Sequence, residues 1–408
     1  MKRKMCVILA TVSILSCANE QSDLRYDART SQRIHKVENG LVEFRPDAPI
    51  AAPDSSMEHL ALADRMVFYK IPGVSIAVID DNKIDWVKGY GVLKAGSPES
   101  VTPQSIFEAA STSKAVTAVM VLHLVQEGKL DLDEDVNTYL KSWKVPENDM
   151  TREKKVTLRL LLLHQSGMPA TNFPYDDAIG VPTLVQVLKG ESPAQNKPAA
   201  VESVPGSRWS YSNLGYVVVQ QILEDVYGMP FDRIAQEIVF QPLGMTSSTF
   251  TYPLKSDLRD REAMPHNEAG TDCDPAMRSN AVAQGGLMTT PTDLARFAIE
   301  LMLAWQGKSD RVLSPETVRL MFSKELDLDP RMFGFPLGEG LGVFLMGKEK
   351  GLAFSHPGSN WPGTTSWWTG YPQLGKGVVI MANGVKGDIL SLEILPALAS
   401  VYGWPVSP

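Results

Sequence analysis

The chain has 408 residues, 44% hydrophobic and 21% charged, the composition of a globular protein long enough to bury a sizeable core. Its net charge of −8 argues against a nucleic-acid binder, which needs a basic patch. The three cysteines leave no disulfide framework in the folded part, and the six scattered histidines form no cluster with metal-ligand spacing, so neither a metal nor another cofactor is expected.

Residues 1–16 read as a signal peptide. Lys2, Arg3 and Lys4 form a positive start, and Met5 to Leu15 is an apolar run too short to span a membrane. Ser16 just before Cys17 resembles the lipobox of bacterial lipoproteins, which implies cleavage before Cys17, lipid attachment to its thiol and a membrane anchor facing the periplasm or cell exterior. The alternative is an ordinary secretory leader cut nearby. Residues 17–56 are polar, with Pro46, Pro49 and Pro53, and are expected to act as a tether, ordered only where it touches the domain.

The globular part is placed at 57–405. Met57 to Tyr69 predicts a helix that Ile71-Pro72-Gly73 breaks. Gly73 to Asp80 reads as a buried strand, and Lys83 to Val92 as its hairpin partner across the turn Asp81-Asn82. Helices are expected through the middle, among them Leu158 to Leu163, Leu214 to Tyr227, Phe231 to Phe240 and Thr292 to Trp305. Strands return at Leu341 to Met346, Leu352 to Ser355, Thr364 to Tyr371 and Gly377 to Ala382. A last helix runs from about Asp388 to Tyr402, interrupted by Pro396. The expected class is α+β. N- and C-terminal strands, from about 57–110 and 336–405, build one mostly antiparallel sheet flanked by helices, with a helical subdomain over about 115–335. An active site belongs in the cleft between the two parts.

Three short motifs carry the chemistry. Ser111-Thr112-Ser113-Lys114 opens a buried helix, so Ser111 and Lys114 share one face of its first turn. A serine hydroxyl needs a nearby proton acceptor to act as nucleophile, and a desolvated lysine can serve. Alone the motif is weak, because a serine at a helix start is ordinarily a cap. Tyr211-Ser212-Asn213 lies on a Pro-Gly-led loop before a helix. Tyr211 can relay a proton if lysine charge lowers its pKa, and Asn213 can hold Lys114 and substrate. His356-Pro357-Gly358-Ser359 closes a predicted strand, whose edge N–H could complete an oxyanion hole with that of Ser111. Each motif has a bland reading: a buried tyrosine, a helix cap, a histidine in a turn. All three in order, at edges facing one cleft, argue for acyl transfer.

With these motifs the chain resembles the serine β-lactamase and penicillin-recognising superfamily, in the branch of class C β-lactamases, D,D-carboxypeptidases and related esterases. The resemblance covers residues 57–403 and includes Leu161-Leu162-Leu163-His164-Gln165-Ser166-Gly167, Gln241-Pro242-Leu243-Gly244-Met245-Thr246 and Gly285-Gly286-Leu287-Met288-Thr289-Thr290. It implies that Ser111 is the acylated nucleophile and Lys114 the base. Tyr211 shares the base role and protonates the leaving group, and Asn213 positions substrate. His356, Gly358 and Ser359 stand where the family usually has lysine, glycine and a strand-edge donor. Lysine is a fixed cation for a substrate carboxylate, whereas histidine is largely neutral near pH 7, so strong β-lactam turnover is not expected. If the neutral imidazole is used, activity rises through its ordinary pKa near 6.5.

His164 is read as structural and Gly285-Gly286 as a site of close backbone packing. Of Trp361, Trp367 and Trp368, at least two should pack on the sheet. The leading expectation is an exported serine hydrolase acting on an ester, a D-amino-acid peptide amide or a β-lactam. Its substrate is then a small molecule or a cell-wall peptide. A non-catalytic cell-wall ligand receptor on the same fold is the second reading.

Overall fold

Residues Gly73–Ile79 of the strand Gly73–Asp80 are apolar at every position but Ser75 because both faces of the strand are covered. In the computed structural model Ala77 and Ile79 join one core, while Val74, Ile76 and Val78 join another on the opposite face. The structure describes residues 26–45, 57–275, 279–330, 337–361 and 363–405. The signal peptide, Cys17 and most of the expected tether lie outside these residues.

This strand, β1, pairs antiparallel with β2 (Lys83–Gly91). Two short strands, β3 (Phe107–Glu108) and β4 (Met288–Thr289), pair with each other away from the main sheet. The remaining strands are β5 (Leu326–Leu328), β6 (Leu337–Gly340), β7 (Val343–Met346), β8 (Ala353–Ser355), β9 (Gly358–Asn360), β10 (Thr364–Tyr371) and β11 (Lys376–Ala382). The sheet order is β2-β1-β11-β10-β8-β7-β6-β5, with β9 hydrogen-bonded to the other end of β10. The hairpin near the N-terminus and the C-terminal strands thus share one antiparallel sheet. The sheet also reaches back to β5, earlier than the expected 336, and the strand expected at 341–346 is β7, which starts at Val343 because Leu341-Gly342 turn the chain back from β6.

One face of this sheet carries three helices, α1 (Ala28–Glu38), α2 (Leu62–Tyr69) and the C-terminal helix Gly387–Tyr402. The tether expectation is corrected here. Thr30, Ile34 and Val37 of α1 are buried, Leu41 is fully buried, and the Tyr26 hydroxyl donates to the Val87 carbonyl. The folded part therefore starts by residue 26. The same segment shortens the helix expected from Met57, since Leu60 forms a strand-like bridge with Leu41 before α2 begins.

The other face packs on α5 (Pro291–Trp305), and α3 (Ser113–Gln126) and α4 (Asn213–Tyr227) belong to the same apolar core, within the helical middle of the chain. Helix α6 (Gly387–Tyr402) runs through Pro396 without a break; Leu390, Ile394, Ala397 and Leu398 pin it to the sheet on both sides of the proline. Trp367 and Trp368 point to opposite faces of β10 and are buried in the two cores, as expected for packing residues.

Candidate active site

The chain enters α3 through a turn that holds Ser111 apart from the regular helix. Residues Ala110–Thr112 form a 3₁₀ turn and α3 begins at Ser113, two steps later than the sequence suggested for the helix start. Ala110 has φ of 49°, an unfavourable left-handed backbone for a residue with a Cβ. The Ser113 hydroxyl fixes this geometry by donating to the Ala110 carbonyl (2.6 Å) and accepting from the Leu287 N–H (3.0 Å).

Lys114 is fully buried. Its Nζ donates to the Gln284 carbonyl at 2.7 Å and to Asn213 Oδ1 at 2.9 Å, and lies 3.2 Å from Ser111 Oγ. Burial holds its pKa well below that of an ordinary lysine. A neutral amine has two N–H groups and one lone pair. With both N–H groups on carbonyl oxygens, the lone pair is left for the Ser111 hydroxyl.

Asn213 is free for this contact because Ser212 is the cap of α4; the Ser212 hydroxyl accepts from the Gly215 N–H at 3.1 Å. Tyr211 precedes them and lies 4.8 Å, measured to its ring centroid, from Lys114 Nζ. Its environment reverses one expectation. Burial pushes the phenol pKa up, although the Ser111 hydroxyl beside it pulls the other way. The lysine does not lower it, because desolvation outweighs any cation and Lys114 itself favours the neutral form. Tyr211 is thus a neutral phenol, suited to donate a proton.

His164 fits its structural reading with one addition. It is buried, its Nδ1 accepts from the Ser212 N–H at 3.0 Å, and its ring lies 4.2 Å from that of Tyr211. It therefore supports the tyrosine from behind, and burial keeps it neutral.

The third motif reaches the nucleophile turn from the sheet. The His356 carbonyl accepts from Thr112 Oγ1 at 2.8 Å and Trp368 Nε1 at 2.9 Å. Ser366 Oγ donates to the Ala109 carbonyl at 2.7 Å. At Gly358 any side chain is excluded: a Cβ there would sit 2.3 Å from the Ala109 carbonyl oxygen and 2.9 Å from the Ser111 nitrogen. Strand β9 thus runs against the nucleophile turn, with Ser359 exposed. The His356 ring is buried, 6.3 Å from Tyr211 and 4.9 Å from Phe344. Burial, and then the neighbouring Lys114, push its pKa down to about 3. A ring held neutral in this way gives no reason for activity to rise through pH 6.5, as an ordinary histidine would.

The sequence reading missed the acceptors and clamps around the motifs. Gln284 contributes only its carbonyl, immediately before Gly285-Gly286. A Cβ on Gly286 would sit 2.7 Å from that of Val282, so the close packing expected at the glycine pair is present there. Glu108, buried on β3, accepts from Asn360 Nδ2 at 2.8 Å and so ties the end of β9 to the segment before Ser111. Among the described residues no group of histidine, cysteine or carboxylate side chains could hold a metal ion.

A serine beside a desolvated lysine, with a neutral tyrosine and a strand edge converging on it, defines a serine hydrolase built for acyl transfer. The chain belongs to the beta-lactamase family, whose profile matches residues 61–398. It is 30% identical over 325 residues to "Penicillin-binding protein 4" of Amycolatopsis lactamdurans, covering 78% of this chain and 82% of that one. It is 25% identical over 318 residues to the "D-alanyl-D-alanine-carboxypeptidase/endopeptidase AmpH" of Escherichia coli strain K12, covering 76% and 79%. The solved structure of the octameric penicillin-binding protein homologue from Pyrococcus abyssi superposes with a TM-score of 0.69 at 25% identity, over 85% of this chain and 76% of that one.

Proposed function

We propose that the protein is an exported acyl-enzyme hydrolase that uses Ser111 as nucleophile. The observation that carries this is Lys114 Nζ held between two carbonyl acceptors and Ser111 Oγ. The Ser111 oxygen attacks the substrate carbonyl carbon as its proton passes to neutral Lys114. The tetrahedral oxyanion faces the N–H of Ser111 and that of Ser359 on β9. As the bond to the leaving group breaks, Tyr211 gives it a proton and regains one from Lys114. Water then attacks the acyl-enzyme along the reverse proton route, which frees the acid and Ser111.

The substrate is an ester or a peptide amide. Relatives named as D-alanyl-D-alanine carboxypeptidase support a cell-wall peptide, but His356 favours a different group beside the reacting bond. A buried, neutral imidazole against Phe344 offers no charge to a carboxylate, and Leu328 and Leu337 extend the apolar surface next to Phe344. Substrates uncharged at that position are preferred over those ending in a free carboxylate, and β-lactams are poor substrates. Export and anchoring through Cys17 belong to the same proposal and rest on the N-terminal sequence.

Intact-protein mass after exposure to a fluorophosphonate tests the mechanism. A single adduct is expected, absent in Ser111→Ala, together with hydrolysis of p-nitrophenyl acetate and butyrate that the same variant abolishes while its fold is kept. Unlabelled wild-type protein, or undiminished turnover by Ser111→Ala, would overturn the assignment.

A further inference from the structure

One buried carboxyl near the acyl-transfer residues has no part in the steps above. Glu339 lies on β6 and is 2% exposed. Its surroundings are apolar. Phe344 is its partner across the β6–β7 pair, and Leu337 and Leu328 join Phe344 in one cluster. A carboxyl in such a place is costly, and an aliphatic side chain would avoid the cost. Burial holds the group well above the usual carboxylate range, so it keeps its proton and puts no charge near Tyr211.

The contact that Glu339 makes leads to the site. Its Oε2 accepts from Trp209 Nε1 at 2.6 Å. Trp209 comes two residues before Tyr211, in a segment that is neither helix nor strand, and both rings pack against the Phe344 cluster. The Trp209 ring centroid lies 6.3 Å from that of Tyr211 and 6.0 Å from that of His164, which it meets edge to face. His164 lies 4.2 Å from Tyr211. Tyr211 thus has two ring neighbours, each tied down by one hydrogen bond. The Ser212 N–H holds His164, and Glu339 holds Trp209. An indole has a single N–H, so losing its acceptor frees that end of the ring.

We propose that Glu339 is a positioning residue for the leaving-group proton: it holds Trp209 against Tyr211 and so fixes the direction of the phenol O–H. The inference rests on the reading of Tyr211 as the donor to the leaving group.

Two esters with one acyl group test it, phenyl butyrate and p-nitrophenyl butyrate. Phenolate is the more basic leaving group and gains more from a donated proton. Glu339→Leu should lower kcat/KM for phenyl butyrate by about ten-fold or more, and that for p-nitrophenyl butyrate by less than about three-fold. Trp209→Phe, which keeps a ring and deletes the N–H, should show the same pattern. Glu339→Gln, whose amide oxygen still accepts from the indole, should restore most of what Glu339→Leu loses. In a Tyr211→Phe background Glu339→Leu should add no further loss, because both changes act on one proton transfer. Thermal melts report whether each variant is folded, and if Glu339→Leu does not fold, Trp209→Phe decides. Equal slowing of both esters, unchanged kinetics, losses that add to those of Tyr211→Phe, or a Glu339→Gln as slow as Glu339→Leu would each overturn the proposal. Tyr211→Phe alone separates it from the reading beneath it. Equal slowing of both esters there would sink the donor assignment and the positioning role together, whereas greater slowing of phenyl butyrate there, absent in Glu339→Leu, would sink the positioning role alone.

Discussion

Lys114 sets the pH behaviour of the site, and its shift shares a cause with that of His356. Lys114 and His356 are both buried among neutral groups, so each favours its uncharged form. For Lys114 the folded pKa lies below the ordinary value. Activity should therefore rise with pH through that depressed pKa and then level off, because the base must be neutral. Tyr211 is shifted up, so it keeps its proton through the neutral range and imposes no fall there. His356, near 3, contributes no limb of its own between pH 5 and pH 8. The expected profile of kcat/KM for p-nitrophenyl acetate has one acid limb, of the same shape in the wild type and in His356→Gln. An inflection near pH 6.5 that disappears in His356→Gln would show that the imidazole titrates after all. Tyr211→Phe removes the leaving-group donor and should lower kcat by about 10²–10⁴, with a smaller loss for esters whose leaving group needs no proton. The motifs themselves were legible because each is a short run of rare combinations. The Gln284 carbonyl was not, since any residue supplies one, and the sign of the Tyr211 shift depends on burial that no spacing encodes.

At the scale of elements, legibility follows how densely an element buries its residues. The strands β1, β10 and β11 bury nearly every side chain, so β1 and β11 read as apolar runs with clear ends and β10 as a run of β-branched and aromatic residues. Helix α1 buries only Thr30, Ile34 and Val37 of eleven residues and exposes charged groups elsewhere, so it reads as polar chain. Its hold on the domain is nonetheless specific. Leu41 is fully buried and exchanges backbone hydrogen bonds with Leu60. Nearby, Arg65 of α2 forms a buried ion pair with Glu393 of α6 at 2.6 Å, and the Phe44 N–H donates to the same carboxylate. The N-terminal segment thus closes a polar cluster as well as an apolar one. Leu41→Ala should cost about 2–5 kcal/mol in denaturant unfolding. A loose tether would predict a change within about 0.5 kcal/mol, so this one measurement separates the two descriptions.

For the whole molecule, the early start of the folded part changes what the proposed anchor does. Only ten residues separate Cys17 from Ala28, instead of the long tether first expected. Fully extended, such a linker spans at most about 35 Å, and as a flexible coil about 18 Å. Helix α1 lies on the face of the sheet opposite the core that α3 joins, and Ser111 sits in the turn that leads into α3. A lipid on Cys17 would hold the domain close to the bilayer by its α1 side and leave the acyl-transfer cleft on the other layer. Energy transfer from a dye on the domain to acceptor lipids in vesicles would report this spacing for the lipidated protein. Inserting 30 Gly/Ser residues after Gln21 should raise the mean coil span to roughly 35 Å and lower the transfer. Cys17→Ser should abolish vesicle binding altogether. Equal transfer with and without the insertion would mean that the domain touches the membrane through its own surface. Loss of membrane association in neither variant would remove the thiol from the anchoring scheme.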